Sequence, residues 1–320
     1  MTARAAAALA ALAATLAGCS LAPPAPGGFR FAVMGDTPYN AGEERAFVAM
    51  LARIDAAPVE FAIHVGDFKA GGNSPCTDAV YFERKTEFDR SVHPIVLTPG
   101  DNDWTDCRRR SNGAMDPIER LARLREIFFA TPASLGRAPM ATRMQSRCMA
   151  PAIPGCGCDP HPENRMWVHG RVTFVTLNVP GSNDNRGHGA ASEREADCRD
   201  EANRQWLEEA VDGTERTSGL GLVIALQADP WATEKPVYKG LLAQVADAGR
   251  RLARPVLFVH GDSHTYRVDA PFRDASGTPI EDITRLEVYG SPFVGWVEVT
   301  VDPAYPGLFR IDPHLEALVP

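Results

Sequence analysis

The chain is expected to be an α/β protein, and three observations carry that expectation. Four β-rich stretches, Phe31–Val33, Phe61–Val65, Ile95–Thr98 and Val256–His260, each end within two residues of a Gly-Asp pair. Helical periodicity lies between them, over Ala41–Ala56, Thr77–Asp89, Pro117–Phe129, Asn203–Asp212 and Glu234–Ala248. The chain has 320 residues, 44% hydrophobic and 23% charged, enough to bury a large core. Further strands are expected near Val172–Asn178, Gly221–Leu226, Leu286–Val288 and Trp296–Val301.

The four Gly-Asp segments are Met34-Gly35-Asp36-Thr37-Pro38, Val65-Gly66-Asp67-Phe68-Lys69, Pro99-Gly100-Asp101-Asn102-Asp103 and His260-Gly261-Asp262-Ser263-His264. Parallel sheets gather functional groups beyond the carboxyl ends of their strands. The glycine is expected to let the chain turn sharply, and the aspartate offers a hard oxygen ligand or a base. One such pair is ordinary turn chemistry, and an aspartate there also caps a following helix. Four pairs, far apart in sequence, read as one carboxylate-rich site around divalent metal.

The order and spacing of these motifs resemble the calcineurin-like metallophosphoesterases over roughly residues 29 to 300. That family runs Asp-x-His, Gly-Asp, Gly-Asn-His-Asp or Glu, an isolated histidine, then Gly-His-x-His. The resemblance implies a two-sheet β-sandwich flanked by helices, a binuclear metal site and hydrolysis of a phosphate monoester or diester. Asp36 fits the first motif, but Pro38 stands at its histidine. Asp67 fits the bridging carboxylate. Asp101 replaces the asparagine ligand and Asn102 the histidine that serves the leaving group, while Asp103 is expected to orient its neighbours. Gln227 stands at the isolated histidine, Asp262 at the first histidine of the last motif, and His264 keeps the second. The implied ligands are thus Asp36, Asp67, Asp101, Gln227, Asp262 and His264, with Asp67, Asn102 and Asp103 assigned to catalysis. An oxygen-rich set favours two manganese or magnesium ions over zinc or iron, with calcium as a further candidate. Asn178, ending a strand, and His260, beside the last motif, are the candidate substrate contacts; His64 is a core histidine. The alternative is a binding or scaffold protein on the same fold that has lost turnover.

The formal net charge is −8 and no basic stripe is visible, which argues against a general nucleic-acid binder. Arg108-Arg109-Arg110, the dense basic spot, reads as a solvated loop. No Gly-x-Gly-x-x-Gly or phosphate-loop motif follows a strand, so a common nucleotide-binding domain is disfavoured. Arg4 and the apolar run Ala5–Ala17 precede Leu16-Ala17-Gly18-Cys19, which resembles a bacterial lipoprotein processing site. Residues 1–18 are therefore expected to be a signal peptide, 19–28 a tether and 29–312 the domain, with an insertion at about 104–165. Cys19 would be lipidated and the protein exported to the periplasm, anchored to the outer membrane because Ser20 follows; its partner would be a small phosphate ester. Six further cysteines fit disulfides in an exported chain. Cys76 and Cys107, each just past a site loop, are expected to pair. Cys148, Cys156, Cys158 and Cys198 would staple the irregular stretch they span.

Overall fold

A computed structural model describes residues 24–146, 156–157, 159–232, 236–274 and 276–319. The first half alternates β1 (Phe29–Met34), α1 (Ala41–Ala56), β2 (Ala62–His64), α2 (Asp78–Phe88) and β3 (Ile95–Leu97), then α3 (Pro117–Phe128). There follow β4 (Arg143–Gln145), β5 (His161–His169), β6 (Val172–Thr176), the short α4 (Gly181–Asp184), α5 (Ala190–Arg216), β7 (Gly221–Ala225), α6 (Lys239–Leu252) and β8 (Val256–His260). The chain closes with β9 (Arg267–Asp269), β10 (Ile283–Glu287), β11 (Phe293–Val301) and β12 (Phe309–Leu318).

Among the described residues these strands make two mixed sheets, ordered β12-β11-β1-β2-β3 and β4-β5-β6-β7-β8-β10-β9. The α/β sandwich expected from the resemblance is the fold observed. Strand side chains alternate faces, so β1 sends Phe29, Phe31 and Val33 into the core between the sheets. There they meet Phe174 of β6, Val223 of β7 and Leu257 of β8. Ala32 and Met34 face the other way, onto Phe47 and Met50 of α1. The second sheet is covered by α5 and α6 through Trp206, Leu207, Val245 and Leu252. With both faces buried, the inner strands read as continuous apolar runs, which is why they were legible in sequence. β1, β2 and β3 run parallel in one sheet, and β6, β7, β8 and β10 in the other.

Four parts differ from the sequence expectation. The first half of α5 carries no apolar stripe, because its buried positions are Ser192, Ala196 and Arg199. Arg199 donates to Asp184 at 2.6 Å and Glu195 at 2.8 Å instead. β5 is masked by buried polar residues: Glu163 takes a bidentate pair from Arg125 (2.8 and 2.6 Å), and Asn164 donates to Gln145 and Asn203. The described residues between 104 and 165 pack into the fold: α3 places Leu121, Leu124 and Phe128 in the core, and β4–β5 edge the second sheet. β12 continues to Leu318, past the expected boundary at 312.

Cys76 is bonded to Cys107, the expected pair, and Cys156 to Cys198. Cys148, Cys158, the leader and Cys19 lie outside the described residues. Among the described residues no helix is long and apolar enough to cross a membrane.

The Arg125–Glu163 pair yields a stability prediction. Burial alone would raise the Glu163 carboxyl, but the Arg125 guanidinium brings it down from an ordinary 4.5 to about 2. A carboxyl lowered in the folded state stabilises it above its unfolded value, and that contribution fades as pH falls from about 4.5 toward 2. Urea unfolding of the wild type should therefore weaken over that window more steeply than unfolding of Glu163→Gln. Arg125→Ala strands a buried carboxylate and should cost about 3–5 kcal/mol near neutral pH.

Candidate metal centre

The carboxyl ends of β1, β2, β3 and β8 meet at one edge of the sandwich, and the four Gly-Asp turns meet with them. Asp36, Asp67 and Asp262 all have positive φ, at 52°, 57° and 76°, and so does His264 at 61°. Left-handed backbone at a residue other than glycine persists only where its surroundings over-determine it, and it concentrates at functional sites. The aspartates therefore make these sharp turns, correcting the expectation that the glycines do; of the four glycines only Gly66 has positive φ. Gly100 and Gly261 serve close approach instead. A Cβ on Gly100 would fall on the Asp67 carboxylate, and one on Gly261 on the Asp36 carboxylate.

Helix capping does not account for these aspartates. Asn40 caps α1 and Thr77 caps α2, while no helix follows Asp262 before β9. The carboxylates instead face one another across the cleft. Asp36 accepts from the Asp262 backbone N–H at 3.1 and 3.2 Å. Asp67 Oδ1 accepts from the Asn102 N–H at 3.0 Å, and its Oδ2 from the Tyr39 hydroxyl at 3.1 Å. Asp101 Oδ2 accepts from Ser182 Oγ at 2.5 Å, and its Oδ1 is buried with no hydrogen-bond partner. Asp262 Oδ2 accepts from the Asp229 N–H at 3.0 Å. His264 Nδ1 meets the Ser291 carbonyl at 2.7 Å, which leaves Nε2 3.3 Å from the Tyr39 hydroxyl and 4.0 Å from Asp36 Oδ1.

Asp103 holds this arrangement together. Its fully buried carboxylate accepts from the backbone N–H of Asp67 (2.9 Å), Phe68 (3.0 Å) and Gly100 (2.8 Å). Its oxygens point into the backbone of two turns, so of the two roles expected of it, orienting its neighbours and catalysis, it fills the positioning one.

Burial and mutual repulsion push Asp36 and Asp67 well above the ordinary carboxyl range: for Asp36 the main charge is Asp262, for Asp67 it is Asp101. Those are the electrostatics of a donor set that a divalent cation relieves. Together with the unpartnered Asp101 oxygen, they make the cleft a fit for hard cations. Asp36, Asp67, Asp101, Asp262 and His264 are the residues that would hold them.

Three predicted residues do other work. Gln227 Oε1, its one ligating oxygen, is taken by the Gly181 N–H at 2.6 Å, and Nε2 reaches Asp67 Oδ2 at 3.3 Å. It anchors Asp67 through Nε2 and ties the Gly181 turn to the site through Oε1. Asn178 is buried and gives its amide to Glu163 at 3.0 Å, so it props the end of β6 and does not line the cleft for substrate. His260 is buried behind the Gly261 turn, beside Asp229 and Glu287. His64 is a core histidine as expected, accepting from the Gly66 N–H at 3.1 Å and held neutral by burial.

The structure also adds residues that the motifs did not flag. Tyr39, three positions after Asp36, puts its hydroxyl among Asp67, Asn102 and His264. Ser182 lies on a turn where Ser182, Asn183, Asp184 and Asn185 all have positive φ; Gly181-Ser182-Asn183-Asp184-Asn185 was a visible signal of it. Arg109 pairs with Asp106 at 2.6 Å and reaches Ser182 Oγ at 3.4 Å, so it sits on the rim of the cleft instead of on a bland surface loop.

Residues 29–266 match the family model of the calcineurin-like phosphoesterases. The chain belongs to that family. No curated protein matches it. Calcineurin-like phosphoesterases typically bind divalent metals, and this one brings its motifs together at the strand ends with oxygen in most of the donor positions.

Two changes test the assembly. Asp67→Asn should lower metal content and activity more than Gln227→Ala does. The latter removes only the supporting hydrogen bonds to Asp67 and Gly181, a loss typically of about 10- to 100-fold. Gly261→Ala, which drives a methyl group into the Asp36 carboxylate, should lose metal while keeping the wild-type far-ultraviolet circular dichroism. Elemental analysis of the purified variants reads both outcomes.

Proposed function

We propose that this protein is a metal-dependent hydrolase of a small phosphate monoester or diester, working outside the cytoplasm and tethered to the outer membrane through an acylated Cys19. One observation carries the chemical half: four carboxylates from four strand ends converge on one cleft, Asp36, Asp67 and Asp101 buried and Asp262 half-buried, and three of the four sit on residues held in left-handed backbone. A bound cation and its substrate would relieve that repulsion, and strained backbone of this kind concentrates at functional sites. The location rests on the leader ending in Leu16-Ala17-Gly18-Cys19 and agrees with two disulfides among the described residues.

Divalent cations, when bound, lower the pKa of water and offset the charge on phosphoryl oxygens. The chain's own groups do the rest. Asp103 and Gln227 fix Asp67, and Arg109 on the rim offers a cation to an anionic substrate. Manganese and magnesium fit the donor set better than zinc or iron.

The leaving group lacks its usual imidazole donor. Asn102 stands there, giving its amide to Tyr39 at 2.9 Å, and an amide does not deliver a proton at neutral pH. Turnover should therefore favour esters whose leaving group needs no protonation. Manganese or magnesium should restore activity to the metal-stripped chain, with a 4-nitrophenyl ester cleaved at least about a hundredfold faster than its phenyl counterpart, the scale of a missing general acid. Restoration by zinc alone counts against the metal assignment. No turnover of either ester with any of these ions, despite bound metal, leaves the binding or scaffold reading in its place.

A further inference from the structure

Behind the turn that carries Asp262 lies a second cluster, outside the phosphoesterase motifs. Asp229 follows β7, His260 ends β8 and Glu287 ends β10, three neighbouring parallel strands of the second sheet, with Glu287 in register opposite His260. One donor atom from each of the three lies within 4.8 Å of the other two, and all three residues are buried. Among the described residues this is the set of histidine, cysteine and acidic side chains that closes so tightly.

Two atoms there have unmet bonding capacity. His260 is 0% exposed, and its Nδ1 lies 2.9 Å from the Gly261 carbonyl. A carbonyl only accepts, so Nδ1 carries the proton, and Nε2 is left with its lone pair and no partner. Glu287 is also 0% exposed; its Oε1 accepts from Ser263 Oγ and from the Thr265 N–H, while Oε2 has no hydrogen-bond partner. Arg267 Nε stands 3.8 Å from that oxygen, too far to bond it. Arg285 gives Nε and Nη2 to Asp269 and stacks over Trp231; its Nη1 is buried and has no hydrogen-bond partner, so it bonds neither His260 nor Glu287. An imidazole whose other nitrogen donates to a backbone carbonyl is the arrangement that fixes a metal-ligating tautomer.

We propose that Asp229, His260 and Glu287 form a mononuclear site for a divalent cation, separate from the phosphoesterase centre. Two carboxylates and one imidazole suit zinc or manganese, with water completing the shell. The site is joined to the main cleft by short links: Asp229 gives its backbone N–H to Asp262, and Glu287 holds Ser263 and Thr265 on either side of His264. A cation there fastens the ends of β7, β8 and β10 beneath the turn that presents Asp262 and His264. It does not depend on the chain having phosphoesterase activity.

The test separates the two sites. In the full chain carrying Asp36→Asn and Asp67→Asn, the main cleft is disabled as a cation site. Titration of that metal-stripped variant with zinc, then manganese, should still find one equivalent bound. Adding Glu287→Gln should weaken that equivalent at least tenfold, and adding His260→Gln should do the same. A double variant that binds neither ion, or a residual equivalent indifferent to both further substitutions, overturns the proposal. Imidazole nitrogen NMR of the unsubstituted chain covers the case in which a variant does not fold. Zinc should shift the His260 Nε2 resonance, and a resonance unmoved at saturating zinc overturns the proposal as well.

Discussion

Four carboxylates share one cleft, three of them buried, and their repulsion is the constraint around which the site is built. At an effective dielectric near 20, two such charges about 4 Å apart oppose each other by roughly 4 kcal/mol. Backbone donors meet part of this: the N–H groups of Asn102, Asp229 and Asp262 each point at a carboxylate of the set. Lys69 adds a cation within the protein, buried and bonded to the carbonyls of Ala70 and Asn102 at 2.9 and 2.7 Å. Burial lowers its pKa, while Asp103, Asp67, Asp106 and Asp101 pull it the other way. One lysine beside so many acids leaves the cleft negative, a charge that a bound cation would offset.

That constraint explains why small residues recur at the strand ends. Carboxylates can converge only if the backbones bearing them approach closely, so Gly100 and Gly261 face the oxygens of Asp67 and Asp36 with no Cβ between. The aspartates then accept left-handed backbone to aim inward. Asp103 fixes the approach, since one carboxylate collects N–H groups from the turns after both β2 and β3. The Cys76–Cys107 disulfide ties the same two loops a few residues further on, and Tyr81 donates to the Asp103 carbonyl at 2.6 Å from beneath.

Much of this was legible in the chain. Val256–His260 and Ala41–Ala56 fall where the apolar patterns put them, because both elements bury a regular face. The Gly-Asp repeats pointed to one carboxylate site, and the motif order to a two-sheet sandwich. What escaped is polar but buried. Glu163, Asn164 and Arg199 make β5 and the start of α5 read as surface, though each is satisfied by a specific partner that only tertiary contact supplies. Gln227 and Asn178 show the same limit from the other side. Gln227 was expected as a ligand and Asn178 as a substrate contact, but what lies opposite an amide decides its role. Gln227 meets the Gly181 N–H and Asp67, while Asn178 gives its Nδ2 to Glu163 and keeps its Oδ1 buried without a hydrogen-bond partner.

Tyr39 shows how a member with so few imidazoles keeps one ready. Its hydroxyl has one proton and lies within reach of two acceptors, Asp67 Oδ2 at 3.1 Å and His264 Nε2 at 3.3 Å, while accepting from Asn102 Nδ2 at 2.9 Å. Nearby carboxylates and burial raise the phenol well above its ordinary pKa, so it keeps that proton. His264 Nδ1 faces a carbonyl and must carry hydrogen, which leaves Nε2 with a lone pair turned to the cleft. Burial lowers the pKa of His264, keeping the ring neutral. Two acceptors therefore compete for one donor, and whichever loses is left facing the cleft unsatisfied. Asp67 Oδ2 has Gln227 Nε2 as a second donor at 3.3 Å, and His264 Nε2 has only the phenol or a cation to turn to. With Pro38 in place of the first motif's histidine, the nitrogen this cleft offers a metal is the one on His264, held in its ligating tautomer by the Ser291 carbonyl.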